Sequence, residues 1–148
     1  MDTSSLYGES FMDHVANPDY KYEMDAPTQT HRGVNPSCGD DLTLAIRLAE
    51  DGTIEEAAYT GSGCAVSQAS ADMMSDLMIG KTPAEARRLC QLFGQMIRGE
   101  QSDDNLLEEE LDEASCLKSI SRMPARVKCA ELAWNTLDEM LLHGGKDA

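Results

Sequence analysis

Asn35-Pro36-Ser37-Cys38-Gly39-Asp40-Asp41-Leu42-Thr43-Leu44-Ala45-Ile46-Arg47-Leu48 carries two signals in one run. Leu42, Leu44, Ile46 and Leu48 alternate with Asp41, Thr43, Ala45 and Arg47, which predicts a half-buried β-strand. Just before it, Cys38 and Asp40 stand two residues apart in a Pro/Gly turn. Pro36 restrains its own φ and Gly39 lets the backbone bend, so the thiol and the carboxylate can point at one centre. Asp41 opens the strand and is expected on the opposite side from Asp40.

Working outward, Glu50-Asp51-Gly52 reads as a turn and Ile54 to Thr60 as the returning hairpin strand. Upstream, Tyr20 to Arg32 is polar and irregular, with a short strand expected around Thr28 to Arg32. A first helix is expected from Ser4 or Ser5 to Ala16, with Leu6, Phe11 and Val15 apolar and Asn17-Pro18 ending it. Downstream, Gly61 and Gly63 let the chain turn into a helix beginning near Cys64. Val66, Ala69, Met73 and Leu77 set its stripe, and Gly80 ends it.

Thr82-Pro83-Ala84-Glu85 is a capping-box pattern. It opens a helix whose stripe is Ala86, Leu89, Cys90, Phe93, Met96 and Ile97, closed by Gly99. Between Glu100 and Glu113 stand eight acidic residues and no basic ones, an acidic insertion at about 100–113 that Leu106, Leu107 and Leu111 should anchor. A short helix over Ala114 to Ser121 is broken by Pro124. The last helix is expected from Ala125 to Leu142, with Val127, Ala130, Trp134, Leu137 and Leu141 facing the core. Strands followed by a run of helices predict one α+β domain over residues 1–148, with a small antiparallel sheet of about three strands and helices on one face.

A chain of 148 residues is long enough for a real core. A formal net charge of −15 argues against nucleic acid or an anionic membrane as partner. Nothing approaches a transmembrane run, and Met1-Asp2-Thr3-Ser4-Ser5 lacks the basic and apolar regions of a signal peptide. Five cysteines, an odd number, suit a reducing cytoplasm better than a disulfide framework.

Two further cysteines strengthen the Cys38–Asp40 signal: Cys64 in Gly61-Ser62-Gly63-Cys64, and Cys129 after Arg126-Val127-Lys128. Three thiols and one carboxylate are a tetrahedral donor set suited to Zn²⁺. A free cysteine is usually buried and inert, but Cys38 sits in a turn with little to pack against. Cys64 lies at a helix N-terminus, where unpaired N–H groups favour a thiolate; its bland reading is a small residue filling the top of the core. Cys129, in the first turn of the last helix, reads alone as evenly a ligand or packing. Arg126 and Lys128 flank it and suit an anionic sulfur, although a solvated basic face is the commoner meaning. Cys90 and Cys116 read as packing, as do Met73, Met74 and Met78. His14, His31 and His143 show no metal-pair spacing, and His14 reads as a surface or capping residue.

Taken together, Asn35-Pro36-Ser37-Cys38-Gly39-Asp40, Gly61-Ser62-Gly63-Cys64 and Arg126-Val127-Lys128-Cys129-Ala130-Glu131-Leu132-Ala133-Trp134 resemble the SufU branch of the IscU/NifU-N superfamily of iron–sulfur cluster assembly proteins. Leu6-Tyr7, Asp13-His14 and Asn17-Pro18 resemble its opening helix. The resemblance implies a zinc ion held by Cys38, Asp40, Cys64 and Cys129. It implies a SufS-type pyridoxal-phosphate-dependent cysteine desulfurase as partner, with downstream Suf assembly proteins beyond it. In that account the desulfurase offers a histidine to the zinc and frees Cys38 to accept persulfide sulfur as the catalytic thiol of a sulfurtransferase.

Two departures from the IscU-type scaffold point the same way. Lys128 stands where the scaffold has a histidine, and Met123-Pro124-Ala125-Arg126-Val127-Lys128 replaces its Leu-Pro-Pro-Val-Lys motif. The alternatives are a scaffold carrying a transient Fe–S cluster and a zinc module that only staples the fold.

Overall fold

A computed structural model describes residues 9–143 of the chain. The alternating run becomes β2 (Asp40–Leu48), the centre of a three-stranded antiparallel sheet ordered β1 (Gln29–Asn35), β2, β3 (Ile54–Ser62). Leu42, Leu44 and Ile46 are buried on its inner face. Over that face pack α2 (Ala65–Met78) and α5 (Pro124–Leu142); α3 (Pro83–Ile97) packs against α5, and α1 (Glu9–Ala16) lies against α2. The fold is α+β, as the order of strands and helices predicts.

β1 is longer than the expected Thr28–Arg32 strand and runs to Asn35, directly opposite Asp40. The reason is its place at the sheet edge. Gln29, His31 and Gly33 are half-buried while Thr30, Arg32 and Val34 are exposed, so the period of two is written in polar residues. The cysteine motif is therefore the connection of a β-hairpin: Pro36 to Gly39 turn between β1 and β2, closed by the Cys38 N–H donating to the Asn35 carbonyl at 3.3 Å. Gly39 takes a φ of +72° there, in the left-handed region that side chains resist.

In α1, Phe11 is buried, and the Asn17 N–H bonds the Asp13 carbonyl at 2.7 Å to end the helix. Ser4, Ser5, Leu6 and Tyr7 lie outside the described residues. The expected box on α3 is formed, with Thr82 Oγ1 accepting from the Glu85 N–H at 3.2 Å and Glu85 Oε1 accepting from the Thr82 N–H at 3.1 Å. All six residues of its expected stripe are buried. Phe93 of α3 stacks on Trp134 of α5 at 4.0 Å between ring centres. The Trp134 indole N–H donates to Ser70 Oγ at 2.8 Å, and that hydroxyl donates to the Ala130 carbonyl at 2.7 Å, tying α2 to α5.

The acidic insertion contains α4 (Asp104–Leu111), whose N-terminus is capped by Asp103 and whose Leu107 and Leu111 are buried. Lys118 draws it back by bonding Asp104 at 2.5 Å and the Ser102 carbonyl at 3.0 Å. After it comes the expected short helix, which spans Asp112–Arg122 and is a 3₁₀ helix. Its buried residues, Ala114, Leu117 and Ile120, fall every third position, which aligns them on one face at about three residues per turn.

His14 is not the surface residue expected. Its side chain is only 11% exposed, with Nδ1 at 2.5 Å from Asp72 and Nε2 at 2.6 Å from Glu113. Among the described residues no helix is long and apolar enough to cross a membrane.

Candidate metal centre

Three elements that are far apart in sequence meet at one end of the sheet. The β1–β2 hairpin supplies Cys38 and Asp40, the start of α2 supplies Cys64, and the second turn of α5 supplies Cys129. One donor atom each from Cys38, Asp40 and Cys129 lies within 4.8 Å of the other two. Ligands about 2.3 Å from a tetrahedral zinc stand roughly 3.8 Å apart, so a cation fits with a small contraction of the three groups. The two soft sulfurs and the hard oxygen suit zinc in kind as well.

Cys64 stands outside that group of three but beside it. Its thiol adjoins Cys129, and its backbone N–H donates to Asp40 Oδ1 at 2.9 Å. It occupies the N-cap of α2 in extended backbone, and its side chain caps nothing, which leaves the sulfur free to turn toward the centre. Cys129 was expected beside the core; it is fully buried. Burial above all, then the neighbouring Cys38, Asp40 and Cys64, pushes its thiol well above the usual range. Such a crowd of acidic groups is what a divalent cation relieves.

Asp40 is fully buried as well. Burial works to raise its pKa, but the donors around it prevail and hold the carboxyl below the usual range. They are the Cys64 N–H, the Cys129 thiol, the Ser67 hydroxyl at 3.0 Å from Oδ1, and Asn35 Nδ2 at 3.1 Å from Oδ2. Asn35 Nδ2 also lies 3.7 Å from the Cys129 sulfur. Asn35 and Ser67 were not singled out from sequence. The available signals were the hairpin register, which sets Asn35 against Asp40, and the three-residue step from Cys64 to Ser67 along a helix.

Gly63 lies directly behind Asp40. A Cβ at this position would fall 2.4 Å from Ser67 Oγ and 2.6 Å from Asp40 Oδ1. Both atoms are pinned by hydrogen bonds, so Gly63→Ala is expected to cost about 1–3 kcal/mol and to weaken metal binding. Thermal melts with and without a zinc chelator check this; an unchanged melt in both conditions would refute it.

Cys38 is half-buried, its sulfur beside that of Cys129 and 3.9 Å from the Ala125 carbonyl. Arg126 is exposed, and the sulfur of Cys129, followed by those of Cys64 and Cys38, raises the pKa of its guanidinium. Lys128, also exposed, lines a groove with Val34, Asn35 and Leu132. Asp41 points away from the centre and pairs with Arg32 at 2.6 Å. Cys90 is buried at the α3–α5 contact, and burial pushes the half-buried Cys116 up to about 11. Neither belongs to the cluster.

A small antiparallel sheet whose first hairpin offers Cys-Gly-Asp to a buried cysteine of the last helix defines a narrow class of protein. The family model for the NifU-like N-terminal domain matches residues 6–130, and the chain belongs to that family. It is 38% identical over 136 residues to the iron–sulfur cluster assembly scaffold protein IscU of Streptococcus pyogenes, covering 92% of this chain and 82% of that protein. It is 35% identical over 135 residues to the zinc-dependent sulfurtransferase SufU of Bacillus subtilis, covering 91% of this chain and 88% of that one. Among solved structures, a protein from Fervidobacterium islandicum assigned as an iron–sulfur cluster assembly scaffold for the SUF system matches with a TM-score of 0.80. Its sequence identity is 31%, over 95% of this chain and 99% of that one.

Proposed function

We propose that this chain is a zinc-dependent sulfur acceptor that takes persulfide sulfur from a pyridoxal-phosphate-dependent cysteine desulfurase of the SufS type for iron–sulfur cluster assembly. The observation that carries the reading is the asymmetry of the thiols: Cys129 is fully buried, while Cys38 sits half-buried on a hairpin turn. One sulfur is placed to hold and the other to react. Cys38, Asp40, Cys64 and Cys129 would be the ligands. Zinc bound there would keep the thiols deprotonated and restrain Cys38 from attack while it is ligated.

The transfer itself belongs to Cys38. Its thiolate attacks the outer sulfur of the partner's persulfide, a new S–S bond forms, and the old one breaks. The partner's cysteine leaves as a thiolate, so charge and electrons balance with no added oxidant or reductant. Arg126, exposed beside the three sulfurs, would offer positive charge to the anion during that exchange. Lys128 would act on the approach along its groove.

The second reading, a scaffold on which an Fe–S cluster assembles, is supported by the relative named IscU. One experiment separates the two. The protein is purified in air, analysed for metal, mixed with a desulfurase and cysteine, and its peptides are weighed. The expected result is about one zinc per chain, faster cysteine turnover, and one extra sulfur on the Cys38 peptide. An air-stable iron–sulfur spectrum without zinc would replace this reading by the scaffold. Zinc without stimulation or added sulfur would leave a metal that only staples the fold.

A further inference from the structure

The two oxygens of Asp40 face different surroundings. Oδ1 points to the start of α2, where it accepts the Cys64 N–H at 2.9 Å and the Ser67 hydroxyl at 3.0 Å, with Gly63 pressed behind it. The Ser67 hydroxyl also lies 3.0 Å from the Cys64 carbonyl, but its one proton is drawn to the carboxylate, the stronger acceptor. A carboxylate oxygen has about two lone pairs. Oδ1 is therefore spent. Oδ2 accepts from Asn35 Nδ2 at 3.1 Å, and its second lone pair is left for the Cys129 thiol or for a metal that replaces that proton.

Asn35 is itself buried, only 6% exposed, at the last rung of the β1–β2 ladder. Its amide must turn Nδ2 toward Asp40, because a carboxylate only accepts, and the same nitrogen lies 3.7 Å from the Cys129 sulfur. One rigid donor thus touches two of the ligand candidates. It comes from the strand opposite Asp40, so any slip in the hairpin register would remove it.

We infer that Asn35 is a positioning residue of the metal centre: with Ser67 and the Cys64 N–H it confines Asp40 to one-oxygen ligation through Oδ2 and holds Cys129 beside that oxygen. This rests on the zinc reading above and deepens it. Confined in this way, Asp40 fills one corner of a tetrahedron and cannot spread over two, so the coordination number stays at four. Freed of Asn35, the carboxylate can rotate and the sulfur loses its fixed neighbour.

The test uses Asn35→Ala and the wild-type protein, each loaded with zinc and, separately, with cobalt as a spectroscopic stand-in. Asn35→Ala is expected to bind zinc about 10–100-fold more weakly by chelator competition, the usual cost of removing a group that orients a ligand. Its cobalt ligand-field bands should weaken, as they do when coordination rises above four. Wild-type zinc affinity with an unchanged cobalt spectrum in Asn35→Ala would overturn the inference. Should the variant fail to fold, the wild type decides alone. Its infrared difference spectrum on zinc binding, identified against Asp40→Asn, should show the wide carboxylate splitting of one-oxygen ligation. The narrow splitting of two-oxygen ligation would overturn the inference while leaving the zinc reading intact. A wild type that takes up neither metal would overturn both.

Discussion

Cys129→Ala is expected to come through purification without zinc and to melt roughly 10 °C below the wild type. A ligand present at a thousandfold above its dissociation constant stabilises the folded state by about 4 kcal/mol. At this chain length each kcal/mol moves the melting temperature by about 2–4 °C. Cys129 is the residue on which that linkage turns, because it is fully buried and its sulfur adjoins Cys38, Asp40, Cys64 and the Asn35 amide. Water cannot readily take its place at the centre.

Cys38→Ala provides the contrast. Cys38 lies on the turn at the open side of the site, so its loss should leave the fold intact and part of the zinc in place while abolishing sulfur acceptance. Metal analysis, melting curves and peptide masses on the two variants decide the matter. Full zinc with an unchanged melting temperature in Cys129→Ala would remove it from the ligand set. Continued sulfur loading of Cys38→Ala would place the acceptor thiol elsewhere.

His14→Ala should cost about 3 kcal/mol at pH 6 and much less at alkaline pH. A neutral imidazole has one N–H and one lone pair, yet both ring nitrogens of His14 face carboxylates, Asp72 at 2.5 Å and Glu113 at 2.6 Å. Only the imidazolium donates to both. Burial opposes that charge, but the bonds to Asp72 and Glu113 and their negative charge prevail, and the pKa stands above 6.5. A raised pKa stabilises the fold fully below the unfolded value, and the contribution fades as pH climbs through the folded value.

Removing the ring at pH 6 leaves Asp72 fully buried without its cation, a loss of about 3–5 kcal/mol in comparable pairs. Asp72 would keep three weaker donors, the N–H groups of Asp19 and Tyr20 and the Tyr59 hydroxyl. Glu113 would keep Ser10. The wild-type melting temperature should therefore fall from pH 6 to pH 9 more steeply than that of His14→Ala, and the two curves should converge. Parallel curves would show that His14 carries no charge in the folded protein.

Much of the fold was legible because some local patterns survive folding unchanged. The alternation of Leu42, Leu44 and Ile46 needs only one apolar face to make a strand, and Thr82-Pro83-Ala84-Glu85 starts a helix with groups it carries itself. The Cys38-Gly39-Asp40 turn is equally local, and so is Cys64 at the start of a helix. β1 was partly missed because an edge strand buries only one polar-rich side and gives no hydrophobic period. The short helix after the acidic insertion was legible too, but its three-residue apolar spacing suits a 3₁₀ helix and the i, i+3 step of an α-helix alike, so its type was not.

What tertiary structure alone decided was which groups become neighbours. His14 is 58 residues from Asp72 and 99 from Glu113, so no local pattern could reveal that its charge is held on both sides. Cys129 looked like a residue at the margin of a stripe until α5 packed over the hairpin and buried it. Asn35 is an ordinary strand-end residue until the β1–β2 register sets it opposite Asp40, within reach of a sulfur 94 residues away. Sequence determined the chemical types and their local backbone, because those follow from short-range sterics and periodicity. Packing determined burial and hydrogen-bond partners, because these arise only when distant segments share one interior.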